Sequence, residues 1–314
     1  MKTTTTTTPT PTTTNNNNTK LILFHHSFPT KQTPIGLYLL AFLSLSALAF
    51  LLTLHSSLTN PTTHPTTPPT PQTQPPHLAR ETSDALLYYH ATSNRTDRMP
   101  SPDARAIARA ISSCAPCPVL VFGLGHETPL WRALNPGGRT VFVDQNEYYV
   151  SHFEDRHPHL EAYGVHYATR ESEAEELVRA AKAEARGACR PVQDLLFSEC
   201  GLAINDMPNE LYEVGWEVIV VDGPRGGDSS APGRMAAIFT AGVLARSKKG
   251  GSEGTHVFVH DFDGEVERVC AEEFLCKENL VGSTGRLAHY IVRRAGDQGE
   301  GVGFCLGETK GDLQ

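Results

Sequence analysis

Residues 35–54 (IGLYLLAFLSLSALAFLLTL) form an apolar run of 20 residues without a charge, and this run decides which part of the chain can fold as a globule. A helix of that length rises about 30 Å, the thickness of the hydrocarbon core of a bilayer. The tail before it is mostly Thr, Asn and Pro, and the stretch after it mostly Thr and Pro. Neither flank carries enough apolar surface to fold, so neither can bury the run as a core helix. The expected layout is a low-complexity tail over 1–34 and a transmembrane signal-anchor over 35–54. A Thr/Pro-rich stalk over 55–80, a folded domain over 81–308 and a flexible tail over 309–314 follow.

Charge sets the orientation. Lys2, Lys20 and Lys31 precede the run, and the first acidic residue anywhere is Glu81. Positive flanks stay on the cytosolic side, so the expected topology is type II, with the C-terminal domain in a lumen. A cleaved signal peptide would have a shorter apolar core nearer the N-terminus and a small-residue cleavage site. Pro-rich stalks are stiff, and Thr/Pro composition suits O-glycosylation. Asn94-Arg95-Thr96 is an N-glycosylation sequon on the lumenal side.

From Arg80 onward the chain holds all 35 acidic residues against 24 Lys and Arg, a net of about −11. Nucleic acid is therefore not an expected partner, because phosphate binding needs a basic surface. Seven cysteines lie at 114, 117, 189, 200, 270, 276 and 305. In an oxidising lumen some pair, and the odd number leaves at least one over. Cys114-Ala-Pro-Cys117 has zinc-ligand spacing but no second pair, and its prolines favour a loop staple or plain packing. No metal is expected.

The domain alternates strand and helix patterns. Val119 to Phe122, Thr140 to Val143 and Trp216 to Val221 are apolar, β-branched runs, as is His256 to Val259. Tyr163 to Ala168 alternates weakly as a further strand. Glu171 to Ala185 is amphipathic with Ala174, Leu177, Val178 and Ala181 on one face, and Met235 to Ala245 is a second helix. Leu287 to Val292 and Gly303 to Leu306 are expected as a closing pair. Near-continuous apolar strands between helices predict an α/β fold, a Rossmann-type, mostly parallel sheet covered on both faces. Ligands of such sheets sit beyond the carboxyl ends of the strands.

Those ends carry the candidate site. Gly123-Leu124-Gly125 follows the first strand, where two glycines allow a tight turn and a close approach to a nucleotide. Asp144 ends the second strand, placed to accept hydrogen bonds from ribose hydroxyls. The third small residue of the dinucleotide fingerprint is replaced by Thr128, and no Walker-type loop is present. This favours S-adenosylmethionine, which has no pyrophosphate, over NAD. A glycine turn used only for packing is the plainer alternative. Asp222 ends the fourth strand and is either a proton acceptor for a sugar hydroxyl or a loop cap. His260 and Asp261 end the fifth and are candidate acid–base or substrate contacts. Arg225 and Arg234 flank a flexible Gly/Ser loop, suited to binding a uronic acid carboxylate or to surface ion pairs. His126, beside the glycine turn, has either a helix-capping or packing role or a functional one, and Trp131 is expected in the core. Asp261-Phe262-Asp263 resembles a glycosyltransferase metal motif but stands after the wrong strand.

The segments FGLGHET, LNPGGRTVFVD, PVQDLLFSEC, VVDGPRG, PGRM and HVFVHD occur here in that order. In that they resemble the plant family of glucuronoxylan 4-O-methyltransferases and irregular xylem proteins. TKLILFHHSFPTKQT, VDQNEYY, FSECGLAIND, ARSKKGG and CKENLVGS resemble the irregular xylem 15 branch in particular. The resemblance covers about Asn18 to Leu54 and Thr82 to Leu306. It implies an S-adenosylmethionine-methyltransferase-like fold and a Golgi membrane protein that acts in xylan synthesis for the secondary cell wall. It implies glucuronoxylan or xylan as substrate and xylan-synthesising Golgi proteins as partners. By match to the family pattern, Gly123, Gly125 and Asp144 hold the cofactor and Asp222 faces the acceptor. Gln145-Asn146 stand where the methyltransferase branch carries further acids, which puts cofactor affinity in question. Two functions follow: a protein of xylan biosynthesis with a non-catalytic domain, or an active 4-O-methyltransferase of glucuronic acid side chains.

Overall fold

The structure, a computed structural model, describes residues 42–51, 78–295 and 303–305. The chain divides into two units, Met1–Thr70 and Pro71–Gln314. In the first, residues 42–51 are helical (α1) and leave Phe42, Leu45 and Leu51 exposed. The rest of the apolar run lies outside the described residues. Among the described residues no helix is long and apolar enough to cross a membrane.

The second unit is built on a seven-stranded sheet. Its strands are β1 (Val119–Phe122), β2 (Thr140–Asp144), β3 (Glu161–Gly164) and β4 (Val218–Val221). They are followed by β5 (Gly254–His260), β6 (Leu280–Thr284) and β7 (Leu287–Arg293). The order across the sheet is β3-β2-β1-β4-β5-β7-β6. The first five are mutually parallel, and β7 runs antiparallel to β5 and to β6. The expected Rossmann-type sheet is thus present, with its order reversing between β1 and β4.

Strand alternation feeds two cores. Leu120, Phe122, Val141, Val143, Ile219 and Val221 face one side, packed by α6 (Ala174–Ala183) and α7 (Met235–Ser247). Val119, Val121, Phe142, Val218, Val220 and Phe258 face the other, packed by α3 (Ser101–Cys114) and α4 (Thr128–Leu134). Helix α3 fits because Ala104, Ile107, Ala108 and Ile111 recur at helical spacing and are buried. Its Pro102 stands in the first turn, where a missing N–H costs nothing. Helix α7 is buried nearly all round, as its unbroken apolar composition requires. The expected face of α6 packs inward, with Val178 and Ala181 buried and Ala174 and Leu177 against them.

Helix α2 (Arg80–Thr92) and helix α3 were not anticipated from the sequence. Helix α5 (Glu147–Arg156) follows β2, and α8 (Glu265–Ala271) follows β5. The expected third strand is displaced. The Val165 amide makes one more bond, to the Asp144 carbonyl, but the His166 amide donates instead to Asp206 Oδ2 at 2.7 Å. The closing pair is also different. Leu287–Arg293 pairs with Leu280–Thr284, joined by the two-residue turn Gly285-Arg286 with Gly285 at φ +58°. Strand β6 is exposed along its whole length, so it lacks the apolar alternation that marks a strand. Residues 303–305 are not a strand; Cys305 is tied to Cys276 by a disulfide.

Two further disulfides join Cys114 to Cys117 and Cys189 to Cys200. Cys270 is free and buried, and burial pushes its thiol up to about 12.

Candidate active site

The sheet register places the candidate residues on one level. Phe122 lies beside Val143 and Val221, and Val221 beside Val259. The next residue on each strand is Gly123, Asp144, Asp222 and His260. Side chains alternate along a strand, so Asp144, Asp222 and His260 all point to the face covered by α3. Asp222 and His260 are on adjacent strands, whereas Asp144 is two strands from Asp222, about 10 Å at normal strand spacing. The β1/β4 reversal, where sheets of this kind form their ligand cleft, therefore has Asp144 on one side and Asp222 on the other.

The glycine turn at its floor is shaped by close backbone contact. Gly123 has φ +108°, and a Cβ there would stand 2.9 Å from the Gly223 amide nitrogen. A Cβ on Gly223 would stand 2.8 Å from Gly123 Cα. The two loops thus leave the sheet pressed against each other, which only glycine on both sides permits. Gly125 is different: its φ is ordinary, and a Cβ would meet only Glu127 Oε2 at 3.6 Å. Its amide donates to Thr128 Oγ1 at 3.0 Å. A methyl group at Gly125 would therefore make only an ordinary contact with the Glu127 carboxylate.

Asp144 Oδ2 accepts from the Leu124 amide at 2.8 Å and Oδ1 from the Asn146 amide at 2.9 Å. The carboxylate locks the glycine turn to the start of α5, and each oxygen retains a lone pair for a ligand. Tyr149, in the first turn of α5, feels Asp144, Asp97, Arg95 and Arg225, so these groups share one rim of the cleft.

Across the cleft Asp222 is half-buried, and His260 is buried behind it. His260 Nδ1 stands 3.0 Å from Asp222 Oδ1 and 3.3 Å from Asp261 Oδ1. Its Nε2 is 3.9 Å from Asp103 Oδ2, and neither ring nitrogen makes an aligned hydrogen bond. Burial pushes the imidazole down. The Asp222 carboxylate and then Asp261 push it up by more, so it lies above the ordinary histidine range. Asp261 holds φ +58°, a conformation that asparagine and aspartate tolerate better than most residues.

The two candidate arginines part company. Arg234 is only 1% exposed, and its guanidinium is engaged by three partners of the protein's own. It pairs with Asp261 Oδ2 at 2.5 Å and Glu267 Oε1 at 3.1 Å, and donates to the Asp222 carbonyl at 3.2 Å. Arg234 therefore braces the cluster from below and is not placed to meet a ligand. Arg225 is exposed and donates to the Asp97 carbonyl at 3.3 Å. The loop between them is pinned rather than flexible. Glu171 and Ser172 amides donate to Ala231 and Ser229 carbonyls, Thr169 Oγ1 to the Pro232 carbonyl, and the Gly227 amide to Glu171 Oε2. Asp261 and Asp263 both pair with Arg286, at 3.0 and 3.1 Å.

His126 stacks on His90 at 5.9 Å, and Trp131 is buried in the core, as expected of it. Two acids of the site were missed in the sequence. Glu127 is buried and accepts from the Met99 amide at 2.6 Å, with His90 Nε2 at 2.9 Å. Burial pushes its carboxyl up, but His90 and the Met99 amide outweigh this and hold it below the usual range. Asp103, from the first turn of α3, is wholly buried beside His260. The signals were slight: Glu127 adjoins the glycine turn, and Asp103 is an acid on the apolar side of α3.

Comparison with known proteins agrees with this architecture. Residues 102–290 match the family described as IRX15/IRX15L/GXM. The chain is 48% identical to Protein IRX15-LIKE of Arabidopsis thaliana over 304 residues, 93% of this chain and 94% of that one. It is 46% identical to Protein IRREGULAR XYLEM 15 of the same plant over 307 residues, 93% of this chain and 95% of that one. With Glucuronoxylan 4-O-methyltransferase 1, also of Arabidopsis thaliana, identity is 40% over 215 residues, 68% of this chain and 74% of that one. A match across most of the folded domain, with relatives aligned almost end to end, has one meaning: the chain belongs to the IRX15/IRX15L/GXM family.

Proposed function

We propose that this chain is a Golgi type II membrane protein of xylan biosynthesis in the secondary cell wall. Its lumenal, methyltransferase-like domain presents the cleft between Asp144 and Asp222 to glucuronoxylan. The anchor is residues 35–54, of which 42–51 are helical with exposed apolar side chains. Three disulfides in the second unit suit an oxidising lumen.

The single observation that carries the chemical reading is the shared level of Gly123, Asp144, Asp222 and His260 at the β1/β4 reversal. Gly123, Gly125 and Asp144 would hold S-adenosylmethionine, with the side-chain-free backbone of Gly125 open to close approach by the cofactor. Bound there, it supplies an electrophilic methyl group. The chain's own work is to orient a hydroxyl in the cleft and to accept its proton, which needs little more than one placed carboxylate. Asp222 takes that role, backed by His260. Arg225 is the exposed cation at the rim for a uronic acid carboxylate. The acceptor these features suit is the 4-hydroxyl of a glucuronic acid side chain.

A non-catalytic role within the xylan-synthesising machinery is the second reading. Two observations favour it. Both Asp144 oxygens already accept amides of the protein, and identity is higher to the irregular xylem 15 proteins than to the methyltransferase. Calorimetry of residues 71–314 with S-adenosylmethionine and S-adenosylhomocysteine separates the two. Micromolar binding lost in Asp144→Ala, with methyl transfer to glucuronoxylan lost in Asp222→Asn, is the expected result. A folded domain that binds neither compound would leave the non-catalytic reading standing.

A further inference from the structure

Asp103 has no part in the chemistry described so far, yet the fold is built around it. It is 0% exposed and lies in the first turn of α3. One oxygen, Oδ2, accepts the Arg286 amide at 3.1 Å, and the other, Oδ1, has no partner. The β6–β7 turn is moulded to it: a Cβ on Gly285 would stand 2.5 Å from Asp103 Oδ1. An acid in a first helical turn ordinarily serves its own helix end. Here the carboxylate is turned away from solvent, and its amide-bonded Oδ2 stands 3.9 Å from His260 Nε2, on the side of the ring opposite Asp222. A buried carboxylate is costly unless a counter-charge faces it.

We propose that Asp103 is a positioning residue for His260: it takes the Nε2–H side of the imidazolium, which turns Nδ1–H toward Asp222 and keeps that carboxylate ionised to accept a proton. The role rests on Asp222 being the proton acceptor. Among the described residues four charged groups stand around the ring. Asp222 faces it from the end of β4, Asp261 from the end of β5, Asp103 from α3 and Arg234 from the start of α7. Arg234 is taken by Asp261 and by Glu267 of α8, and Arg286 of the hairpin by Asp261 and Asp263. Asp222 and Asp261 both stand on the Nδ1 side, Asp261 shared with two arginines, so Asp103 is the carboxylate on the Nε2 side of the ring. Burial pushes the Asp103 carboxyl up, partly opposed by the Arg286 amide and then by His260.

The test is histidine NMR on the full chain in detergent, labelled with 13C-histidine and titrated from about pH 5 to 9 across the histidine range. The His260 signal is identified by its loss in His260→Gln. In the wild type it should titrate above the ordinary 6.5. In Asp103→Asn, of the same shape without the charge, its pKa should fall by about one unit or more, the effect of removing one close opposite charge. The high-pH limb of methyl transfer should move down with it, while KM for the polysaccharide stays within about twofold, since Asp103 touches no substrate. A folded Asp103→Asn with His260 unmoved overturns the proposal. So does a wild-type His260 that titrates at or below 6.5, a result that needs no variant to fold. If no methyl transfer is detected but His260 still shifts in Asp103→Asn, the proton-acceptor reading of Asp222 fails while the coupling of Asp103 to His260 holds.

Discussion

Two alanines placed two residues apart in the glycine turn should behave as opposites. In Gly123→Ala the new Cβ lies 2.9 Å from the Gly223 nitrogen, 3.1 Å from its Cα and 3.2 Å from the Asp222 carbonyl carbon. All three are backbone atoms, so no side chain can swing away. A non-glycine residue in so unusual a conformation costs about 1–3 kcal/mol, and forcing a methyl into packed backbone costs about 1–3 more. The expected loss is about 4 kcal/mol. For a domain of this size that lowers Tm by roughly 8–16 °C. In Gly125→Ala the nearest atom is a carboxylate oxygen at 3.6 Å and the backbone is ordinary, so stability should change by less than about 1 kcal/mol. Its methyl would instead stand where the cofactor is proposed to approach. Thermal unfolding by circular dichroism, paired with S-adenosylhomocysteine calorimetry, reads both effects. The expected pattern is an early-melting Gly123→Ala and a Gly125→Ala that melts normally but binds at least tenfold more weakly. A normal melt for Gly123→Ala, or an early one for Gly125→Ala, would refute the argument from backbone contact.

Arg234→Ala should destabilise by about 3–5 kcal/mol, because it strips the guanidinium from Glu267 and from one side of Asp261; denaturant midpoints measure this. Glu127→Gln weakens two charge-assisted bonds and should cost about 1–3 kcal/mol at pH 7. The folded Glu127 carboxyl lies below its usual value, so its contribution is present above about pH 4.5 and is lost as the pH falls through the lowered folded value. Acid unfolding curves of wild type and variant should therefore converge at low pH. His289 stacks on Phe258 at 4.2 Å, and burial first, then His256, hold its imidazole down at about 4. The unfolded chain binds that proton near 6.5, so stability should fall as the pH drops from about 6.5 toward 4. His289→Phe should flatten that slope by on the order of 2 kcal/mol, read from urea midpoints at a series of pH values.

Four of the five parallel strands are legible because they are short apolar blocks ended by Gly123, Asp144, Asp222 and His260, and buried parallel strands need that composition, which the edge strand Glu161–Gly164 lacks. The same strand ends located the cleft, since register fixes them on one level. What stayed hidden obeys other rules. Strand β6 is an exposed edge, so nothing selects an apolar pattern in Leu-Val-Gly-Ser-Thr. Only Thr-Gly-Arg-Leu, a two-residue hairpin turn, hinted at it. Arg234 is legible only as a ligand-binding or surface cation, because its buried partners, Asp261 and Glu267, lie 27 and 33 residues away. Asp103 was invisible for the same reason: the turn that encloses it is 183 residues downstream. Local pattern reveals strand ends and helix faces, whereas buried charges are placed by partners that only the completed fold supplies.

Glu127 holds His90 of α2 and the Met99 amide at once, and its carboxylate lies against Gly125. Helix α2 begins at Arg80. Viewed as a mechanical linkage, the segment that enters the domain is fastened twice, by the Glu127 carboxylate beside the glycine turn and by Leu78, Leu86 and Leu87 packed on the core. A load applied to the chain at Leu78 is therefore divided between the core that lies on the sheet and the carboxylate beside the glycine turn.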